Sequence, residues 1–255
     1  MIVYLVLIAI FFSSMVYGII GFGDALILIP IITPLIGIKN AVILINLWGT
    51  FPALLNFIKY REYLDRGYFL RFLVLGIPAT ILGTFLIINL QLEWIELIFG
   101  IFVLCYSTIK LNQYRKNSTR VQIEKELNSS SPLIIFGGFS YGLLAGLISA
   151  AGPINVLCLE KTGHYRESFI ENFAAVGTIL SISRIPFYFS EGVFPTELFL
   201  VFVLAFPVIF VGTKLGHRIT PKIPVKKFQI IIFCFLLVIS LKSITTSIIA
   251  LTALY

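Results

Sequence analysis

Ten stretches of this chain carry no charged residue: 1–23, 25–38, 40–58, 72–92, 97–109, 127–159, 172–183, 198–213, 228–241 and 243–255. Apolar runs of this length constrain the fold more than any other feature. A helix of about 20 such residues crosses a hydrocarbon core about 30 Å thick. Lipid offers the backbone no hydrogen-bonding partner, so most of these stretches are expected to be helical. Charged residues make up 12% of the chain, against about 25% in an ordinary soluble domain. Mean hydropathy is +1.01. So few charges cannot cover the outside of a soluble fold. A soluble globular protein, a disordered chain and a nucleic-acid-binding module are therefore excluded.

The basic residues set the expected orientation. Of the 19 Lys and Arg, 16 fall in four polar breaks: around Lys59–Arg71, Lys110–Lys125, Lys161–Arg166 and Lys214–Lys227. Cytoplasmic loops collect such residues. The breaks near 89–96 and 190–197, which carry Glu93, Glu96, Glu191 and Glu197, then fall outside. This reading predicts single crossings over 41–59, 68–90, 96–111, 168–190, 197–216 and 228–250. The stretch 132–160 must then begin and end on the cytoplasmic side. Its 29 residues give only about 44 Å of helix, too short for two full crossings. It is expected to be a two-helix hairpin that breaks inside the membrane. Residues 2–38 are expected to form the matching hairpin from the outside. The N-terminal run has no Lys or Arg before it, which is not the pattern of a cleaved signal peptide.

The halves repeat. Gly18 pairs with Gly146, Gly49-Thr50 with Gly177-Thr178, and Tyr60 with Tyr188, each 128 residues apart. PATILGTFL and PVIFVGTKL pair Pro78, Gly83, Thr84 and Leu86 with Pro207, Gly212, Thr213 and Leu215, 129 apart. Each half is one hairpin plus three crossings, so the second half is expected to be inverted. The expected fold is an all-α integral membrane protein of two inverted-topology repeats, residues 1–111 and 132–255. A cytoplasmic linker, 112–131, joins them. Inverted repeats with broken helices are the architecture of secondary transporters.

The chemistry is expected at the two breaks, Gly21–Asp24 and Ser149–Pro153. Small residues there allow close backbone approach, and Pro153 suits the first turn of a restarting helix. A helix beginning at such a break aims free N–H groups at an anion. Arg184 lies well inside a span, and its planar fork suits oxyanions. Snorkelling to the outer headgroups is its alternative role. Asp24 is the carboxylate at the first break, read either as a proton-coupling group or as a helix cap. Asn46, Thr50, Asn172, Thr178 and Ser181 are polar positions on two paired spans, suited to a pathway or to helix packing. The candidate substrate-binding set is Gly21, Gly23, Asp24, Ser149, Gly152, Pro153, Asn155 and Arg184, with Ser149 and Asn155 as hydrogen-bond donors. His164 and His217 read as solvated loop histidines. Glu160, Glu167 and Glu171 read as interfacial charges pairing with Lys161 and Arg166. Cys105, Cys158 and Cys234 read as packed thiols, and no residue pattern implies a cofactor or a metal.

These motifs resemble those of the TauE/SafE sulfite exporter family, also called the toluene-sulfonate uptake permease family. GFGDA with downstream Pro30, and SAAGP, take the places of the family's two glycine-rich stretches. Asp24, Ala25, Ser149 and Ala151 stand where the family has glycine. The Pro-x4-Gly string of each half and Arg184-Ile-Pro-Phe-Tyr188 followed by Gly192 are similar to the family pattern too. The resemblance implies a transporter of small sulfur-containing or carboxylated anions such as sulfite and sulfonates. Its partners would be the anion, the lipid bilayer of the cell membrane, and protons or another coupling ion. No Gly-x4-Gly-Lys-Ser/Thr motif occurs, so transport is expected to be gradient-driven. An integral-membrane enzyme and a structural subunit of a membrane complex are the competing classes. The first would need a His, Ser or acidic catalytic set that the spans lack. The second would not need broken, repeated hairpins.

With both termini outside and 112–131 inside, a cysteine placed at position 120 should resist an impermeant thiol reagent in intact cells and react after permeabilisation. Labelling in intact cells would reverse the assigned topology.

Overall fold

A computed structural model describes residues 2–20, 23–116, 128, 131–164, 166–193, 198–219 and 225–253. Ten α-helices account for nearly all of these, and no strand occurs among the described residues. They are α1 (Ile2–Ile20), α2 (Asp24–Ile36), α3 (Ile38–Tyr60), α4 (Arg66–Asn89), α5 (Leu92–Lys116), α6 (Pro132–Ile148), α7 (Gly152–Lys161), α8 (Arg166–Ser190), α9 (Phe199–Ile219) and α10 (Val225–Ala253). Helices α3, α4, α5, α8 and α9 are long and apolar enough to cross a membrane. The protein is an all-α, multi-pass membrane protein. Large apolar side chains such as Phe136, Val74 and Val238 point outward, as lipid-facing positions should.

The two hairpins take the lengths that the sequence demands. Helix α6 has 17 residues and α7 only 10, about 25 and 15 Å long. Neither α2, with 13 residues, nor α7 reaches across the core alone. Helix α5 departs from expectation, running on to Lys116, so the first residues of the 112–131 stretch are helical. Residues 117–127, 129 and 130 of that stretch lie outside the described residues. Cys158 is buried, but Cys105 and Cys234 sit on exposed faces rather than in packed positions.

Helix directions follow from the contacts. Asn46 donates to the Ser181 carbonyl, while Asn172 donates to the Tyr63 carbonyl beyond the end of α3. Helices α3 and α8 are therefore antiparallel. Ser243 donates to the Glu96 carbonyl and Tyr106 meets Phe233 edge-on at 5.6 Å, so α5 and α10 are antiparallel too. In contrast, α4 and α6 run parallel: Gly138, Gly142 and Gly146 lie successively on Phe72, Gly76 and Thr80. Helices α1 and α9 are also parallel, with Gly212 on Phe11 and Gly216 on Met15.

Glycine makes both parallel crossings possible. A Cβ on Gly146 would strike the Thr80 carbonyl, and one on Gly18 would strike the Thr213 carbonyl. Without side chains between them, the backbones gain dispersion and Cα–H···O contacts that lipid cannot supply. The contacts also revise the register of the repeat. Gly83 lies on Leu143 and Gly146, and Gly216 lies on Met15 and Gly18. Thr80–Gly83 (TILG) is thus matched by Thr213–Gly216 (TKLG), 133 residues on. That is one helical turn beyond the pairing drawn from PATILGTFL and PVIFVGTKL.

Gly146→Ala should overpack the α4–α6 crossing and lower stability by about 1–3 kcal/mol. Gly177→Ala should be neutral or slightly stabilising, because its added Cβ meets nothing closer than the Tyr141 hydroxyl at 3.8 Å. Thermal denaturation in detergent separates the two variants.

Candidate functional site

The second break is built from the end of α6 and the start of α7. Ser149 caps α6 in the left-handed region, with φ of 51°, a conformation that is uncommon outside glycine. The chain turns through Ala150 and Ala151, and α7 restarts with Pro153 in its first turn. A broken helix leaves its last carbonyls without intrahelical partners. Here the Ala145 carbonyl keeps the Ser149 N–H at 2.9 Å and takes a second donor from Arg184 of α8. Its Nη1 donates to the Ala145 carbonyl and to Ser149 Oγ at 3.0 Å, its Nη2 to Ser181 Oγ at 3.3 Å, and its Nε to the Leu180 carbonyl. Ser149 Oγ in turn donates to the Val42 carbonyl of α3 at 3.0 Å. Arg184 is 4% exposed, which is incompatible with snorkelling. A cation at the C-terminal end of α6 also meets the favourable end of its dipole.

The first break ends at Gly23, whose φ of 90° suits glycine. Asp24 is the first residue of α2 rather than its cap, and no side chain caps that helix. Gly21 lies outside the described residues.

Between the breaks lies a cavity of about 90 Å3, room for several water molecules. Gly23, Asp24, Ser149, Gly152, Pro153 and Arg184 all line it, joined by Tyr17, Asn46, Tyr141 and Ser181. The N-terminal ends of α2 and α7 both border it, and Arg184 forms part of its wall. Six of the eight sequence-derived candidates are thus brought together. Asn155 is not among the lining residues. It is fully buried, and its Oδ1 accepts from the Tyr68 hydroxyl at 2.6 Å. Ser149 gives its hydroxyl proton to Val42, so its part is to hold Arg184 and the break in place. Tyr17 and Tyr141 gave no sequence signal, because a tyrosine in an apolar helix looks the same facing lipid or facing a cavity.

Two acidic or basic positions depart from expectation. His164 is fully enclosed rather than solvated. Its Nε2 lies 3.1 Å from Asp65 Oδ2, its Nδ1 lies 3.0 Å from Thr162 Oγ1, and its ring packs on Tyr68 at 4.8 Å. The other Asp65 oxygen caps α4 through the N–H groups of Gly67 and Tyr68. Through Tyr68 this network reaches Asn155, and so fixes the far end of α7 against α4. Glu171 is also fully buried, with neither carboxylate oxygen hydrogen-bonded, so it is no interfacial charge. Glu160 does lie near a lysine, but that residue is Lys110, at 4.0 Å. The side chains of His217 and Arg166 lie outside the described residues. Among the described residues no group of three His, Cys, Asp or Glu could hold a metal ion.

A family model described as "Sulfite exporter TauE/SafE" matches residues 6–243, so the chain belongs to the TauE/SafE family. No curated protein and no solved structure matches the chain significantly.

Burial lowers the His164 pKa below 6.5, with the Asp65 carboxylate opposing the shift. As pH falls through 6.5, the unfolded chain takes up this proton before the folded one does. Folding stability should therefore decline below that pH, by at most about 1.4 kcal/mol per unit. His164→Gln should flatten this part of a stability–pH profile measured by thermal unfolding.

Proposed function

We propose that this TauE/SafE family member is a gradient-driven secondary transporter that carries sulfite, or a sulfur oxyanion of similar size, through the cavity between the two breaks. The observation that carries this reading is the convergence of a buried guanidinium and two helix N-termini on one small pocket. Arg184, most of whose N–H groups are engaged within the protein, contributes its positive charge, and α2 and α7 contribute the positive ends of their dipoles. In a low-dielectric cavity these bind an oxyanion more strongly than they would in water. The volume favours an anion of a few heavy atoms over a long-chain sulfonate.

The proposed frame is two inverted repeats, 1–111 and 132–255, joined by the linker 112–131, in the cell membrane with both termini outside. The antiparallel pairing of α3 with α8, and of α5 with α10, supports it. Equivalent helices that meet antiparallel are related by an axis lying across them, whereas an axis along the membrane normal would leave them parallel. Exchange of the two halves' conformations then opens the cavity to one side or the other.

Asp24 gives this reading a coupling ion. Its carboxylate shares the cavity with the anion, and two negative charges there repel unless one is neutralised. Protonation of Asp24 removes the conflict. Anion and proton then travel together, and a proton gradient drives the movement.

Purified protein in liposomes should take up labelled sulfite, faster with an inward proton gradient. Gly152→Val, which fills the cavity, should abolish uptake while leaving the melting temperature within a few degrees. Arg184→Gln should raise the half-saturating sulfite concentration at least tenfold. Normal uptake by Gly152→Val would put the site elsewhere and leave the glycines a packing role only.

A further inference from the structure

A second cavity, of about 310 Å3, shares no lining residue with the first. It lies between the last turns of α2, the second turn of α5 and the outer half of α10. Thr33, Glu96, Phe99, Lys242, Ser243 and Thr246 line it. It sits at the end of the bundle where α5 begins, opposite the basic loops, and exposed Trp94 stands two residues before Glu96. Aromatic residues at such positions mark the headgroup level of a bilayer.

The polar groups of this cavity are not matched to one another. Among the described residues, neither Glu96 nor Lys242 has an opposite charge within 4.0 Å. The Thr33 hydroxyl is buried and has no hydrogen-bond partner. Ser243 gives its proton to the Glu96 backbone carbonyl, not to the carboxylate. Glu96 and Lys242 thus line a space with apolar flanks at Ile29 and Phe99. A simple anion would leave Glu96 unmatched, and a simple cation would leave Lys242 unmatched. A zwitterion satisfies both.

We propose that this cavity seats the headgroup of a phospholipid bearing a phosphodiester and a primary ammonium. The phosphate meets Lys242, the ammonium donates to Glu96, and the acyl chains leave along the apolar flank into the bilayer. A quaternary ammonium has no N–H to donate, and a glycerol headgroup has no charge for Glu96. Ethanolamine lipids are therefore favoured over choline and glycerol lipids. The inner wall of this seat is α2, which begins at Asp24 in the other cavity. An occupied seat braces α2 against the α5–α10 pair and so restrains the first hairpin.

The test uses the full-length protein in detergent, with melting temperature followed on adding dioleoyl phosphatidylethanolamine, phosphatidylcholine or phosphatidylglycerol. The ethanolamine lipid should raise the melting temperature by several degrees more than the other two. Glu96→Gln should reduce its effect to that of the choline lipid, and Lys242→Gln should weaken it. Glu191→Gln, outside the cavity, should keep the full preference. Equal shifts from all three lipids, or an ethanolamine preference that survives Glu96→Gln, would overturn the proposal. Soluble glycerophosphoethanolamine giving the same shift would overturn the lipid as occupant. Because no step measures transport, these outcomes are independent of the sulfite reading.

Discussion

Everything around the central cavity depends on how a helix can end inside a membrane. Lipid cannot hydrogen-bond the carbonyls that a broken helix exposes, so protein must. At the end of α6 Arg184 adds a second donor to the Ala145 carbonyl, beside the Ser149 N–H, and donates to the Ser149 hydroxyl. The same guanidinium is anchored on its own helix through Leu180 and on Ser181. Ser149 completes the link by bonding α3 through Val42. One side chain therefore ties α6, α8 and, through Ser149, α3 around the break. Its charge is retained at low exposure because the helix end beside it is partially negative. A neutral donor would fill the same hydrogen bonds but would bring no positive potential into the cavity.

The two breaks are not chemically equal. The second contributes Ser149 and a cation held close by, whereas the first contributes Gly23 and the Asp24 carboxylate. Their charges lie on opposite members of the repeat, so the cavity walls are nearly neutral in sum while each half differs in sign. The positive and the titratable group of the cavity thus sit on separate helices, α8 and α2.

Much of the fold was legible because membrane thickness turns residue counts into topology. A 29-residue run that starts and ends on one side has to break, and α6 and α7 meet at that break. The small residues around Gly23 and Gly152 located the cavity for the same reason. What the sequence hid depends on tertiary packing. His164 and Glu171 sit beside charged loops, where solvation is the simplest expectation; only the packing of α4, α7 and α8 encloses them. Asn155 follows Pro153 by two residues, yet helical rotation turns it towards Tyr68 and away from the cavity. The register of the repeat misled in a different way. In apolar helices Gly-Thr pairs recur, and a match one turn away presents nearly the same face.

The two glycine crossings also have a mechanical consequence. Backbone rests directly on backbone where Gly146 meets Thr80 and where Gly18 meets Thr213. Such contacts act as bearings: the helices can tilt on one another without lifting a ridge of side chains out of a groove.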